Sequence, residues 1–121
     1  MAKHHVKWSD FHSLTESTVI NHVPDKSGIY ILWVEVKGEK WRCIFVGQAQ
    51  DIRTGLLQHM TNNEENERLK ENVKEFVCGF QYALVEKQSD KDGMEKYLYE
   101  YNNPECNNTP PDVKQIEINI P

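Results

Sequence analysis

The segment from Ser27 to Ala49 constrains the fold of this chain more than any other. It contains two apolar runs, GIYILWVEV and WRCIFVG, on either side of the polar segment KGEK. Valine, isoleucine and aromatic residues favour the pleated surface of a β-strand. Gly38, within the polar segment, can adopt the positive φ angle that tight turns often require. The segment therefore predicts a β-hairpin with the two runs as its strands.

A helix is predicted directly after the hairpin. Asp51 is a suitable N-cap, because its side chain can accept a hydrogen bond from a backbone N–H of the first turn. Ile52, Leu56 and Leu57 lie on one side of the helical wheel and give the helix an apolar face. Gly55 is unusual here, since an interior glycine costs about 1 kcal/mol relative to alanine. Helix stability does not explain this glycine.

The second half of the chain predicts two more helices and one more strand. The segment TNNEENERLKENVKEF is typical of a loop followed by a helix whose apolar residues share one face. VCGFQYALVE is rich in residues that favour strands. SDKDGMEKYLYEYNN predicts the last main helix, with Ser89, Asp90 or Asp92 as its N-cap.

The two ends of the chain are assigned to flanking segments. Residues 1–24 are a lead-in, in which Ser9 is a candidate N-cap for a short helix. Residues 109–121 are a tail, in which the alternating segment VKQIEINI predicts an edge strand. Residues 25–108 form the main domain. The order of elements predicts an α+β fold, with a small, mainly antiparallel β-sheet flanked by helices.

Composition limits the classes of function. The chain has 121 residues and a formal net charge of -5, so it gains no general electrostatic attraction to nucleic acid. A local basic face, or a partner that supplies the affinity for nucleic acid, stays possible.

Cys43, Cys78 and Cys106 are scattered without CxxC spacing, which argues against a disulfide framework and a structural zinc site. No apolar run is long enough to cross a bilayer. We expect a soluble, cytoplasmic protein.

Short motifs at the hairpin ends and in the last helix indicate a family. The first strand opens with Gly28-Ile29-Tyr30, and the second closes with Phe45-Val46-Gly47. Glu95 in the last helix is followed by Pro104 nine residues later and by Asn107 twelve residues later. In their order, spacing and predicted elements, these residues resemble the GIY-YIG nuclease family.

The resemblance spans residues 24–107 and implies roles for several residues. Glu95 is implied as the ligand of Mg²⁺ or Mn²⁺, Tyr30 as the general base or a positioner of the attacking water, and His59 as a contact of the scissile phosphate or an aid to proton transfer. Asn107 is implied to shape the site by hydrogen bonds. Each has a structural alternative: a surface glutamate, a core tyrosine, a polar residue on a helix and a loop cap.

The chain departs from the family pattern at two positions. Phe45 replaces a tyrosine, so one phenol hydroxyl is missing while the ring remains. Gly55 occupies the position of the family arginine in the register set by His59. Arg53 is two residues earlier, and two residues rotate a helix by about 200°, so its side chain should face away. If the helix begins later than predicted, Arg53 can reach the site from the preceding loop and serve as the catalytic cation.

Two functions follow from the resemblance. The first is a divalent-metal-dependent DNA endonuclease domain, of full or impaired activity, acting in repair, restriction or a mobile-element context. The second is a catalytically inactive module of the same fold that binds nucleic acid or a protein. No DNA-reading element such as a zinc finger or helix-turn-helix is visible, so a protein partner that supplies specificity is compatible with the first function.

Overall fold

The computed structural model describes residues 4–37, 39–107 and 112–121. The predicted turn residue Gly38 lies outside the described residues. The elements, in chain order, are β1 (His12–Ser13), α1 (Glu16–His22), β2 (Gly28–Val36), β3 (Lys40–Ala49), α2 (Ile52–His59), α3 (Glu67–Glu75), β4 (Cys78–Leu84) and α4 (Gln88–Asn102). Within the described ranges, no helix is both long and apolar enough to span a membrane.

The predicted hairpin is confirmed and forms half of the sheet. Within the described residues, the sheet has four strands in the order β1-β4-β2-β3, and all neighbouring strands are antiparallel. In the β2–β3 pair Tyr30 is opposite Gly47, and the register shifts between Leu32 and Trp33. This pairing brings the ends of the two tripeptide motifs together. The predicted α+β fold with a mainly antiparallel sheet is therefore confirmed.

Alternation along β2 divides the core between the two faces of the sheet. Tyr30 and Leu32 face a cluster that α1, α2 and α3 cover, whereas Ile29 and Ile31 face a cluster that α4 covers. Successive side chains of a strand point to opposite faces, so a strand buried on both sides reads as one continuous apolar run. Burial on both faces of the sheet explains the unbroken GIYIL sequence at the start of β2.

The lead-in is more regular than predicted. The N-cap predicted at Ser9 is wrong: α1 begins later, and the Thr15 side chain accepts from the Thr18 N–H at its N-terminus. Ser9 instead pairs with β4, since its N–H donates to the Tyr82 carbonyl at 2.8 Å and its hydroxyl accepts from the Tyr82 N–H at 3.0 Å. The short strand β1 then pairs with the same strand.

The start of α4 also differs from the prediction. The helix begins at Gln88, and its N-cap is Lys87, whose side chain makes no capping hydrogen bond. Ser89, Asp90 and Asp92 lie within the helix and do not cap it. The Asp92 carboxylate instead accepts from the side-chain amides of Gln48 and Gln88, each at 2.8 Å. These contacts hold the first turn of α4 against the end of β3.

The tail does not form the predicted edge strand. Among residues 112–121, Ile118 makes one parallel bridge with His4. Ile118 is fully buried in the cluster beneath α4, and the Ile116 N–H donates to the Gly93 carbonyl at 2.9 Å. The alternating apolar residues therefore pack on α4 and on the face of the sheet, where they cannot extend its edge.

Candidate active site

A hydrogen-bonded pair of side chains links the first strand of the hairpin to α2. Tyr30 is 3% exposed, and its Oη is 2.7 Å from Nε2 of His59, the last residue of α2. Gly47 makes this placement possible, because a Cβ there would lie 2.7 Å from the Tyr30 ring and 2.8 Å from Oη. The glycine of the second motif thus provides space for the tyrosine of the first.

A carboxylate extends the pair beyond His59. The Nδ1 atom of His59 is 2.9 Å from Oε2 of Glu64, which lies in the loop between α2 and α3 and is 8% exposed. The other oxygen, Oε1, accepts from the Asn66 N–H at 3.2 Å. Tyr30, His59 and Glu64 therefore form a continuous buried chain of hydrogen bonds, which we call the relay.

Burial holds the inner members of the relay in their neutral forms. Burial lowers the pKa of His59, although the Glu64 carboxylate opposes the shift. Burial also raises the pKa of Tyr30, and the charges of Glu95 and Glu64 raise it further. At neutral pH His59 is therefore an uncharged imidazole, and its contact with Glu64 is a hydrogen bond with no charge on the ring.

Phe45 completes the aromatic wall of the site. Its ring centroid is 5.0 Å from that of His59 in an edge-on arrangement and 6.2 Å from that of Tyr30. Such offset and edge-on contacts are favourable for aromatic pairs. The ring packing of the second motif is thus present, and the phenol hydroxyl that a tyrosine would add there is absent.

Glu95 lies on α4 and is partly buried, and its charge acts on Tyr30 of the relay. Burial raises the pKa of its carboxyl group, the neighbouring Gln48 amide lowers it, and Asp92 one turn earlier raises it. Among the described residues, no lysine, arginine or histidine forms an ion pair with Glu95. A carboxylate that keeps no cationic partner is available for a metal ion.

The donor set near Glu95 fits one kind of metal. In the described part of the chain, no group of three or more histidine, cysteine or acidic side chains could enclose an ion. Mg²⁺ prefers oxygen ligands and retains several water molecules, so one carboxylate can hold it. Glu95, with the Gln48 side chain beside it, is compatible with a hydrated Mg²⁺ or Mn²⁺ ion.

Asn107 supports the site through the backbone of β3. Its Oδ1 accepts from the Val46 N–H and its Nδ2 donates to the Val46 carbonyl, both at 2.8 Å. Val46 precedes Gly47, against which Tyr30 packs. The side chain of Asn107 therefore fixes the strand that shapes the site, which agrees with both roles considered for it.

The structure does not bring Arg53 into the site. Its Nε donates to the Val23 carbonyl at 2.7 Å, after the end of α1. The helix α2 already begins at Ile52, so Arg53 cannot approach from a preceding loop. The assignment of Arg53 as the catalytic cation is wrong, because its helical position points the side chain away from the relay.

Gly55 faces the site directly. A Cβ at Gly55 would lie 3.8 Å from Oη of Tyr30 and 3.2 Å from Cβ of Ala49. The residue borders an open cleft of about 330 Å³, whose lining includes Tyr30, His59 and Glu64. In the described chain, none of the residues that line this cleft is a lysine or an arginine.

The sequence gives little indication of Glu64. It lies in the segment NNEENERL, where three glutamates occur within four residues. Glu65 and Glu67 are exposed, and only the fold distinguishes the buried member. The spacing of five residues after His59 is the one signal available, and it follows no helical or strand period.

This chain resembles known proteins in its structure more than in its sequence. No protein-family model matches the chain, and no curated protein matches it. Solved structures do match: the GIY-YIG N-terminal endonuclease domain of UvrC from Thermotoga maritima bound to magnesium has 20% sequence identity and a TM-score of 0.55, over 76% of this chain and 93% of that chain.

A second solved structure, a point mutant of the same domain bound to its catalytic divalent cation, is similar to this chain to the same degree. It has 21% sequence identity and a TM-score of 0.55, over 78% of this chain and 96% of that chain. At this identity the likeness concerns the arrangement of the backbone. The chain has the fold of the GIY-YIG endonuclease domain.

Proposed function

We propose that this chain is a divalent-metal-dependent endonuclease domain that hydrolyses phosphodiester bonds of DNA. The observation that carries the proposal is the relay, in which Tyr30 Oη lies 2.7 Å from Nε2 of a neutral, buried histidine. The Glu95 carboxylate lies close enough to raise the pKa of this tyrosine. The fold shared with a metal-bound endonuclease domain supports the same assignment.

The geometry gives Tyr30 and His59 a joint role in proton transfer. Because the pKa of Tyr30 is raised, its side chain is a neutral phenol at neutral pH, and a phenolate does not act as the base. As a neutral phenol, Tyr30 can accept a proton from an attacking water while its own proton moves to Nε2 of His59. The lowered pKa of His59 keeps the ring neutral, so one of its two nitrogens is free to accept a proton.

Glu95 would hold the metal ion, Mg²⁺ or Mn²⁺. Such an ion supplies Lewis-acid stabilisation of the phosphoryl and leaving oxygens. At the cleft the protein itself supplies little positive charge, since no described residue of the cleft lining is a lysine or an arginine. Loss of one electrostatic stabiliser commonly reduces turnover by about 10²–10³-fold. We therefore expect slow cleavage.

The proposal includes a cellular setting. The three cysteines are buried and free, which is typical of a reducing cytoplasm. Repair, restriction and mobile-element control are the settings in which an endonuclease of this fold would act. A partner that binds DNA would supply the affinity that a chain of net charge -5 does not provide by itself.

A specific observation favours a second candidate function. Gly55 leaves the wall of the cleft without a side chain, and Arg53 is bound elsewhere. A domain with this site could bind nucleic acid or a protein partner without cleaving DNA. Activity measurements separate the two candidates.

The test is a cleavage assay with a matched pair of variants. The native protein is incubated with supercoiled plasmid, branched DNA and single-stranded DNA, in Mg²⁺ and in Mn²⁺. Glu95→Ala removes the proposed ligand, and Glu100→Ala removes an exposed glutamate of the same helix. Cleavage that disappears in Glu95→Ala and persists in Glu100→Ala supports the nuclease. Absence of metal-dependent cleavage by the native protein supports the second candidate.

A further inference from the structure

Glu64 is a buried carboxyl group in a loop of mostly exposed polar residues. It is 8% exposed, and both of its oxygens accept hydrogen bonds, from His59 and from the Asn66 N–H. Burying a carboxylate has a large desolvation cost, which hydrogen bonds offset in part. An apolar side chain would fill the same space at lower cost. The position of this group is therefore explained better by its effect on His59 than by packing.

The carboxylate determines which nitrogen of His59 carries the proton. An ionised carboxylate only accepts hydrogen bonds, so the nitrogen 2.9 Å from it, Nδ1, must be the donor. In a neutral ring the other nitrogen, Nε2, is then an acceptor. The Tyr30 hydroxyl, 2.7 Å from Nε2, must donate to it. Glu64 thereby sets the direction of both hydrogen bonds in the relay.

The loop holds Glu64 firmly in this place. Asn66, whose N–H contacts the carboxylate, is also the N-cap of α3, because its side chain accepts from the Leu69 N–H. The Asn66 amide donates to the Cys106 carbonyl, next to Asn107. The carboxylate is thus connected to the helix that follows it and to the loop that supports β3.

We infer that Glu64 is a positioning residue that fixes His59 as the Nδ1–H tautomer, so that Nε2 receives the Tyr30 proton during hydrolysis. The part of this inference that concerns hydrolysis rests on the proposed nuclease function. As the water oxygen bonds to phosphorus, the bond to the leaving oxygen breaks. The water proton moves to the Tyr30 oxygen, and the Tyr30 proton moves to Nε2. The carboxylate stabilises the resulting imidazolium, and solvent protonates the leaving oxygen.

The first test measures the tautomer and needs no nuclease activity. Nitrogen-15 spectra of the histidine rings are recorded for the full chain, and His59→Gln identifies the signals of His59. We expect a protonated Nδ1 and an unprotonated Nε2 in the native protein. Glu64→Leu, which removes the acceptor, should give a mixture of tautomers. Glu67→Gln, which removes an exposed charge nearby, should leave the native pattern. Unchanged His59 signals in Glu64→Leu would overturn the inference.

Glu64→Gln keeps the inference testable if Glu64→Leu does not fold. The glutamine preserves the length of the side chain, but its amide can donate as well as accept, so the ring is no longer held in one form. A mixture of tautomers in Glu64→Gln supports the inference, and native ring signals contradict it.

The second test measures cleavage with the same variants. In serine proteases, the carboxylate that fixes the tautomer of the catalytic histidine contributes about 10⁴-fold to turnover. We expect Glu64→Gln to reduce kcat at least tenfold, a conservative fraction of that effect, with little change in KM. A tautomer shift without any cleavage by the native protein would support the positioning role and refute the nuclease. Cleavage by the native protein that Glu64→Gln does not slow would refute the positioning role alone.

Discussion

At the scale of single residues, Gly55 offers the sharpest test of the missing positive charge. A Cβ there would face Tyr30 Oη at 3.8 Å and would contact Ala49 Cβ at 3.2 Å, which requires a shift of a few tenths of an ångström. An arginine at this position would project its guanidinium into the cleft. A guanidinium is permanently charged and can bind two phosphate oxygens at once.

We expect Gly55→Arg to increase the rate of DNA cleavage by about 10²-fold or more, the range in which electrostatic stabilisers act. Single-turnover assays with the plasmid substrate measure this change. Gly55→Gln, which places a polar but uncharged side chain at the same position, is the control. Equal rates for the two variants would show that a cation at this position does not limit the reaction.

The buried neutral state of His59 predicts a dependence of stability on pH. In the folded chain the pKa of His59 is lowered, whereas in the unfolded chain a histidine titrates near pH 6.5. As the pH falls, the unfolded state binds a proton that the folded state does not, so the free energy of unfolding decreases. The loss begins near pH 6.5 and continues until the folded-state pKa is passed.

Urea denaturation between about pH 8 and about pH 5 measures this effect, since it spans the titration of an ordinary histidine. The native protein should lose stability more steeply on acidification than His59→Gln. The raised pKa of Glu95 acts in the opposite direction, but it is present in both proteins and cancels in the comparison. Parallel pH profiles for the two proteins would contradict the prediction.

At the scale of elements, the hydrogen bonds of Asn107 predict a local effect on β3. Asn107→Ala removes two hydrogen bonds to Val46, each contributing about 0.5–1.5 kcal/mol. We expect the free energy of unfolding to decrease by about 1–3 kcal/mol on this basis. Hydrogen exchange at the Val46 amide should also become faster.

Asn102→Ala provides the comparison for that experiment. Asn102 donates to the Leu98 carbonyl, a hydrogen bond that lies within α4 and does not involve β3. Its loss should leave exchange at Val46 unchanged. If both variants leave the Val46 amide equally protected, Asn107 does not support the strand.

The elements also show what the sequence could predict and what it could not. The hairpin and α2 were predictable, because apolar periodicity and the Asp51 cap act over a few neighbouring residues. The cap at Ser9 and the edge strand in the tail were wrong, because contacts with Tyr82 and Gly93, distant in sequence, determine those segments. In the candidate site, the motifs pointed to Tyr30 and His59, whose side chains the structure brings into contact, and the helical rotation indicated that Arg53 faces away, where its side chain binds the Val23 carbonyl. Glu64 could not be found, since only the fold buries it.

At the scale of the whole molecule, the tail approaches α4 most closely where the helix carries Gly93. A Cβ at Gly93 would lie 2.6 Å from Cγ1 of Ile116 and 2.9 Å from the Lys114 carbonyl oxygen. These distances are too short for a real Cβ, and the carbonyl belongs to the backbone. Gly93 is therefore required for the close approach of the tail to the helix.

We expect Gly93→Ala to lower stability by about 1–3 kcal/mol, as is typical of overpacking. The tail should become sensitive to limited proteolysis, while the His59 ring signals stay native. Glu100→Ala, on an exposed position of the same helix, should change neither property. A native proteolysis pattern in Gly93→Ala would mean that the tail can adjust without leaving the helix.

The support that Asn107 gives to β3 has a consequence for the molecule in solution. β3 is at one edge of the sheet, and an uncovered edge presents backbone groups to which a strand of another molecule can add. The Cys106 N–H occupies the Ile44 carbonyl, and Asn107 occupies both backbone groups of Val46. The loop that shapes the site therefore also protects the chain from edge-to-edge aggregation.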